Sequence, residues 1–225
     1  MVKAVIFDID GTLLDSVDLH ARAWQEAFAK FGKALSYESS RSQIGKGGDQ
    51  LLPVFLSCEE QESFGKDLEK YRGKVFKSKY LSQVKPLPGV RELLQRVKDD
   101  GRQVALASSA KEDEIEVYKR IAHIEDLVEE QASSDDAEHS KPAPDIFAAA
   151  LKRLHGVTPE EAVAIGDSPY DAMAAKKLGI TSIGVLSGGF AEADLRAAGY
   201  REIYRDCADL LDHYEQSLIA LKKAA

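Results

Sequence analysis

Ala4-Val5-Ile6-Phe7-Asp8-Ile9-Asp10-Gly11-Thr12-Leu13-Leu14-Asp15 is a short apolar run that ends on two carboxylates. Val5 to Phe7 is apolar on both faces and too short for a helix, which predicts a buried strand. Asp8 and Asp10 follow two residues apart, a spacing that puts both side chains on the same side of the strand's end. Gly11 then lets the chain turn sharply and bring backbone N–H groups close to whatever binds there. Two carboxylates this close repel each other unless a cation lies between them or one of them holds a proton, and either arrangement suits a catalytic site. Alone, the stretch is equally an ordinary strand ended by an Asp-Gly turn. The remaining sequence decides between the two.

The chain has 225 residues, enough for a substantial core in one large domain or one domain carrying an insertion. Hydrophobic residues make up 44% and charged residues 30%, the balance of a soluble globular protein. A net charge of −8 argues against a polyanion-binding surface, so neither nucleic acid nor an anionic membrane is an expected partner. Cys58 and Cys207 are the two cysteines, without metal-type spacing, which points to a reducing compartment. The first apolar run carries Asp8 and Asp10 and is too short for a signal sequence or a membrane span. The expected location is therefore the cytoplasm.

After the first strand, Leu19, Ala23, Ala27, Phe28 and Phe31 share one helical face that stops at Gly32, with His20 and Trp24 beside it. Both of these residues are ordinary helix-packing residues or candidates for a substrate pocket. Gln43 to Asp49 is a glycine-rich turn that would present Lys46 and backbone amides to an anion. Glu59 to Tyr80 reads as one charged helical stretch with Phe64, Leu68, Tyr71 and Val75 at helical spacing. Nothing in 16–85 reads as a strand. Lys85-Pro86-Leu87-Pro88-Gly89 breaks any helix and is the expected return hinge.

Beyond the hinge the rhythm alternates. Val90, Leu93, Leu94 and Val97 mark a helix ended by Gly101. Val104–Ala107 is a strand ending at Ser108-Ser109. A helix follows over about 112–121, then a polar stretch from Ser133 to Ser140, Lys141, and a helix through Ile146, Phe147 and Leu154. Thr158-Pro159-Glu160-Glu161 has the spacing of a helix-opening capping box. Ala162–Ile165 is a strand ending at Gly166-Asp167-Ser168-Pro169-Tyr170-Asp171, with Asp171 a candidate N-cap of the helix after it. Thr181–Val185 is another strand, and a weaker one near Glu202–Tyr204 precedes a C-terminal helix. This alternation predicts a parallel sheet with helices on both faces.

Ligands of open parallel sheets bind beyond the carboxyl ends of the strands. Three predicted strand ends carry chemistry there: Asp8 with Asp10, Ser108, and Asp167 with Asp171, with Lys141 nearby. Three carboxylates suit Mg²⁺, which takes a few carboxylates together with phosphate and water oxygens. A lysine and a hydroxyl suit the non-bridging oxygens of a phosphoryl group. Each feature alone is unremarkable, but their joint occurrence at strand ends is not.

These motifs, Asp8-Ile9-Asp10-Gly11-Thr12, Ser108, Lys141 in Ser-Lys-Pro, and Gly166-Asp167-Ser168-Pro169-Tyr170-Asp171, resemble those of the haloacid dehalogenase-like hydrolase superfamily. The resemblance covers the whole chain and lies with the helical-cap subgroup that includes phosphoglycolate phosphatase and β-phosphoglucomutase. It implies a Rossmann-like three-layer α/β core with a parallel sheet, residues 1–15 and 87–225, carrying an inserted α-helical cap, residues 16–86. It implies Asp8 as the nucleophile that forms an aspartyl phosphate and Asp10 as general acid and base. Thr12, Ser108, Ser109 and Lys141 would hold the phosphoryl group. Asp8, the backbone carbonyl of Asp10, and Asp167 would bind Mg²⁺, with Asp171 as a further ligand or support. His20, Trp24 and Lys46 are the candidates for substrate selection.

The expected activity is hydrolysis of a small phosphorylated metabolite by a monomer, a dimer being the alternative. The runner-up is a sugar phosphomutase similar to β-phosphoglucomutase, because Asp15, His20, Arg22, Ala23 and Trp24 resemble that enzyme's hinge and first cap helix. Thr12 and the Gly166-Asp167 pair favour the phosphatase. Asp10 sets aside the dehalogenases and the phosphonoacetaldehyde hydrolases, which lack it. A phospho-accepting receiver domain also combines aspartates, a hydroxyl and a lysine, but it is about half this length and carries its aspartate on a later strand.

Overall fold

The computed structural model describes residues 1–220. Its main sheet has six parallel strands: β1 (Ala4–Phe7), β4 (Gln103–Ala107), β5 (Glu130–Ala132), β6 (Ala162–Gly166), β7 (Thr181–Val185) and β8 (Glu202–Tyr204). Two short strands, β2 (Leu14–Asp15) and β3 (Lys85–Pro86), form a separate antiparallel ribbon. The sheet order is β5-β4-β1-β6-β7-β8, so β1 lies centrally between β4 and β6. The expected α/β architecture is present.

Alternation along β1 separates two cores. Val5 and Phe7, with Val104, Leu106, Val163 and Ile165, pack against large side chains of the Val90–Asp99 and Glu112–Ala122 helices, among them Leu93, Leu94, Val97 and Ile115. Each such aliphatic side chain contributes about 1.5–3 kcal/mol by leaving water. Ala4, Ile6, Ala105, Ala107, Ala162 and Ala164 face the other way, toward Phe147 and Ala150 of one helix and Ala174 and Ala175 of the next. The small residues let those two helices lie close to the sheet, which brings the loops leading into them close to the end of β1.

Helices occupy most of 17–83, the longest being Val17–Lys30 and Lys66–Val75. They have their own apolar core of Val17, Trp24, Phe28, Ile44, Leu51, Leu52, Leu56 and Leu68. The chain enters and leaves this block side by side: Leu14 pairs with Pro86, Asp15 with Lys85, and Leu87 N–H donates to the Leu13 carbonyl at 2.9 Å.

Three expectations need correction. Residues 16–85 are not free of strand, since Lys85 belongs to β3. The stretch Glu59–Tyr80 is helical as expected, with π-turns at Gln61–Gly65 and Phe76–Tyr80 flanking the regular helix Lys66–Val75. The Thr158 capping box opens only a single 3₁₀ turn, Pro159–Glu161, before β6 begins. Asp171 is not an N-cap: Ser168 holds that position, and the Asp171 carboxylate accepts from its backbone N–H at 3.2 Å. Strand β5 has no counterpart in the sequence reading, because Glu130-Gln131-Ala132 lacks β-branched and aromatic residues. It is an edge strand, ordered by its ladder with β4.

Candidate active site

Asp8 directly follows β1, and its N–H continues the ladder to the Ile165 carbonyl at 2.9 Å. Asp167 directly follows β6, the adjacent strand, so the sheet itself sets the two carboxylates next to each other. Ser108 follows β4 on the other side, its N–H bonded to the Ala132 carbonyl at 3.1 Å. Lys141 comes from the loop between β5 and the Asp145–Arg153 helix.

Lys141 is fully buried. Its ammonium has three protons and three acceptors: Asp8 Oδ1 at 2.5 Å, Asp171 Oδ1 at 2.7 Å and the Ala107 carbonyl at 2.8 Å. The other Asp171 oxygen accepts from the Ser168 hydroxyl at 2.6 Å. Asp171 is thus engaged on both oxygens, by the ion pair with Lys141 and by the Ser168 hydroxyl. Thr12 bridges two carboxylates, with Oγ1 3.2 Å from Asp8 Oδ2 and 3.5 Å from Asp167 Oδ1. The Ser108 hydroxyl accepts from the Ala110 N–H at 3.1 Å, whereas Ser109 lines the cavity with its hydroxyl unpartnered.

Asp10 turns away from this cluster toward the helical block. Its Oδ1 accepts from Ser16 Oγ at 2.5 Å and from His20 Nε2 at 2.9 Å. His20 stacks on Phe76 with ring centroids 3.9 Å apart and planes nearly parallel, so its orientation is fixed. Burial would raise the Asp10 pKa, but His20, Ser16 and Arg72 together hold it at about 2. A group that both gives and takes a proton works best nearer neutrality. In this arrangement the His20 contact keeps Asp10 ionised, the form a base requires.

The buried carboxylates behave oppositely. Burial pushes Asp8 up to about 7 against the pull of Lys141, with Asp171 and Asp10 adding to the rise. Asp167 is driven well above the ordinary range by burial and then by Asp8 and Asp171. Oxygens of Asp8, Asp167 and Asp171 lie within 4.8 Å of one another. One ammonium among three buried carboxylates leaves an excess of negative charge that a small divalent cation would neutralise, and the donor set of hard oxygens fits such an ion. Gly11 and Gly188 press backbone against Asp167: a Cβ at either position would fall 2.4 Å and 1.6 Å from its Oδ2.

Asp8 and Asp10 both open onto a cavity of about 820 Å³ between the sheet and the helical block, which also reaches His20, Trp24 and Lys46. Lys46 Nζ donates to Gln43 Oε1 at 2.6 Å and lies 4.7 Å from the centre of the Tyr170 ring. Burial lowers its pKa. Trp24 is both packing and lining, 2% exposed and 5.9 Å from Phe28. The sequence reading did not single out Arg72, Ser16, Arg41 or Gly188. Ser16 lies close to motif residues and Gly188 meets Asp167 only in the fold, while Arg41 and Arg72 sit in helices where the sequence does not distinguish them from solvated cations.

Among the described residues no helix is long and apolar enough to cross a membrane. The family model for haloacid dehalogenase-like hydrolases matches residues 5–185. The phosphorylated carbohydrates phosphatase of Thermotoga maritima is 31% identical over 185 residues, covering 81% of this chain and 84% of that protein. Protein SUPPRESSOR OF QUENCHING 1, chloroplastic, of Arabidopsis thaliana is 33% identical over 213 residues, 93% of this chain but 20% of that protein, so the chain spans about a fifth of it. The crystal structure of a hydrolase from Pseudomonas syringae superposes with a TM-score of 0.85 at 29% identity, covering 95% of this chain and 98% of that one. Because the family match runs from β1 to the end of β7, the chain belongs to the haloacid dehalogenase-like hydrolase family.

Proposed function

We propose that the protein is a Mg²⁺-dependent phosphatase acting on a small phosphate monoester of the phosphoglycolate or sugar-phosphate type, through a phosphorylated Asp8. The observation that carries this reading is the buried pairing of Lys141 with Asp8 beside Asp167, at the base of a cavity large enough for a small metabolite. Asp8 and Asp167, with the Asp10 carbonyl, would hold Mg²⁺, which when bound supplies charge that keeps Asp8 ionised and offsets that of the phosphoryl group.

An oxygen of Asp8 attacks phosphorus while the ester P–O bond breaks, and the proton that the monoester monoanion brings in passes through the Asp10 carboxylate to the departing alkoxide. Water then attacks the aspartyl phosphate at phosphorus, Asp10 takes its proton, and phosphate leaves with Asp8 restored. The helical insertion acts as a cap that excludes bulk water during both steps. The same reading takes a monomer in the cytoplasm as the working unit. The phosphomutase alternative is not favoured: Thr12 and Gly166 depart from the mutase pattern, and the Thermotoga relative is named a phosphatase.

Time-resolved ³¹P NMR with Mg²⁺ tests this on 2-phosphoglycolate, fructose 1-phosphate, and β-glucose 1-phosphate primed with the 1,6-bisphosphate. The expected result is accumulation of inorganic phosphate, lost in Asp8→Asn with the circular dichroism spectrum unchanged. Glucose 6-phosphate forming without phosphate release overturns the phosphatase reading in favour of a mutase.

A further inference from the structure

Arg72 lies on the Lys66–Val75 helix between the two π-turns, on the wall of the cavity that Asp8 opens into. Its guanidinium sits 4.9 Å from the centre of the Trp24 ring and 5.8 Å from that of Phe76. Two aromatic faces hold its plane in place, which reduces the ordering cost of any contact it makes. One donor is used: Nη2 lies 3.3 Å from His20 Nδ1, the ring nitrogen opposite the one facing Asp10. The Nε–H is buried and has no acceptor. No carboxylate lies within ion-pair distance of Arg72 among the described residues, Asp10 being engaged by Ser16 and His20.

Arg72 is half-buried, but its Nε–H is shut off from water, and a desolvated donor left unsatisfied is costly unless a ligand completes it. A neutral hydroxyl would satisfy the Nε–H but add nothing to the charge, which Asp10 meets only across His20, whereas an anion in direct contact satisfies both. Lys66, Lys70 and Lys74 lie on the same wall without ion-pair partners among the described residues and, with Arg72, outnumber the cap-side carboxylates Asp49 and Glu69, although the chain as a whole carries a net charge of −8. The excess positive charge is therefore local to the cap side of the cavity, opposite the phosphoryl site.

We propose that Arg72 anchors a second anionic group of the substrate, a carboxylate or a phosphate that is not transferred, on the part that departs as the alcohol. This rests on the phosphatase reading above and narrows its substrate class. Arg72 thereby sets specificity, while its contact with His20 keeps that ring in register with Asp10.

Matched esters that differ in the second group test this: 2-phosphoglycolate against 2-hydroxyethyl phosphate for a carboxylate, and fructose 1,6-bisphosphate against fructose 1-phosphate for a phosphate. Wild type is expected to show the higher kcat/KM on the doubly anionic member of at least one pair, and that pair identifies the group. Arg72→Gln should lower kcat/KM on that member by roughly 10–100-fold, the range of a lost charge-assisted contact, and by only a few-fold on its neutral partner. Arg72→Lys should recover part of the difference. Equal losses on both members of both pairs overturn the anchor and leave Arg72 only the orientation of His20.

If wild type cleaves none of these esters, nor p-nitrophenyl phosphate, the phosphatase reading fails instead. Binding then decides the anchor, read from the emission of Trp24, the only tryptophan, titrated with 2-phosphoglycolate, 2-hydroxyethyl phosphate and fructose 1,6-bisphosphate. A saturable change with either doubly anionic ligand that weakens about tenfold in Arg72→Gln supports it. Titrations identical in the two proteins overturn it.

Discussion

Arg41 Nη2, in the helical insertion, donates to the carbonyl of Gly188, 2.8 Å away in the core. The same guanidinium is braced from behind by Asp18, whose Oδ1 accepts from Nε at 2.8 Å. Gly188 in turn rests against Asp167, so this contact joins the insertion directly to the loop that shapes the carboxylate cluster. Next to it, Tyr170 donates its hydroxyl to the Ser42 carbonyl at 2.7 Å. The insertion is thus fastened to the loops after β6 and β7, beside the candidate metal site.

Arg41→Met should loosen that fastening without touching the reacting groups. KM is expected to rise roughly threefold to tenfold, the worth of a partly exposed charged hydrogen bond, with a smaller change in kcat. Steady-state kinetics on the preferred ester provide the check, and a fall in kcat at constant KM would argue against a closing role.

Among the described residues Lys141 is the only cation paired with the three buried carboxylates, so Lys141→Met leaves them uncompensated. Removing one partner of a buried ion pair costs about 3–5 kcal/mol. For a chain of this size that is a drop in Tm of roughly 6–20 °C, measurable by thermal unfolding at pH 7.5. The loss should shrink at pH 5, where Asp8 and Asp167, both raised, accept protons. A variant as stable as wild type at pH 7.5 would mean that Asp8 is protonated there already.

Metal removal should have a pH dependence of defined sign. Asp8 in the folded chain sits at about 7 and Asp167 is raised too, both above the unfolded value of 3.8. Groups raised on folding contribute stability that is complete below the unfolded pKa and is lost as pH rises through the folded one. Chelator-treated protein should therefore lose this contribution between about pH 4 and pH 7. Mg²⁺ competes with those protons, so the gain in Tm on adding it should be larger at pH 7.5 than at pH 5.5. Equal gains at the two pH values would contradict the assignment.

Much of this site was legible because strand ends carry strong local signals. Val5–Phe7 and Ala162–Ile165 are apolar runs that stop at aspartates, and parallel pairing then brings Asp8 and Asp167 together. Lys141 was legible through its Ser-Lys-Pro setting and not through any periodicity. Other features depend on three-dimensional packing and leave no local pattern. Glu130–Ala132 becomes a strand only because β4 offers an open edge. Arg72 differs from Lys70 or Lys74 only in lying between Trp24 and Phe76, rings 52 positions apart in the chain. Nor does sequence show the internal bonds of two expected phosphate-holding hydroxyls: Thr12 donates to Asp8, and Ser108 accepts from the Ala110 N–H while keeping its own proton to donate.

Gly188 offers a further test of the carboxylate cluster. Its φ is not in the left-handed region, so alanine meets no backbone strain there, but the added Cβ would land 1.6 Å from Asp167 Oδ2 and force the carboxylate aside. Overpacking of this kind costs about 1–3 kcal/mol, and it falls on one proposed metal ligand. Gly188→Ala should weaken Mg²⁺ or Mn²⁺ binding by tenfold or more in calorimetric titration, together with a modest fall in Tm. Gly32→Ala is the control: its φ of +77° makes alanine strained, yet nothing lies within 4 Å of the new Cβ. It should lower Tm by a similar amount and leave metal affinity unchanged. If both variants bind metal as wild type does, Asp167 is not a ligand, and the charge excess of the cluster must be met by protons alone.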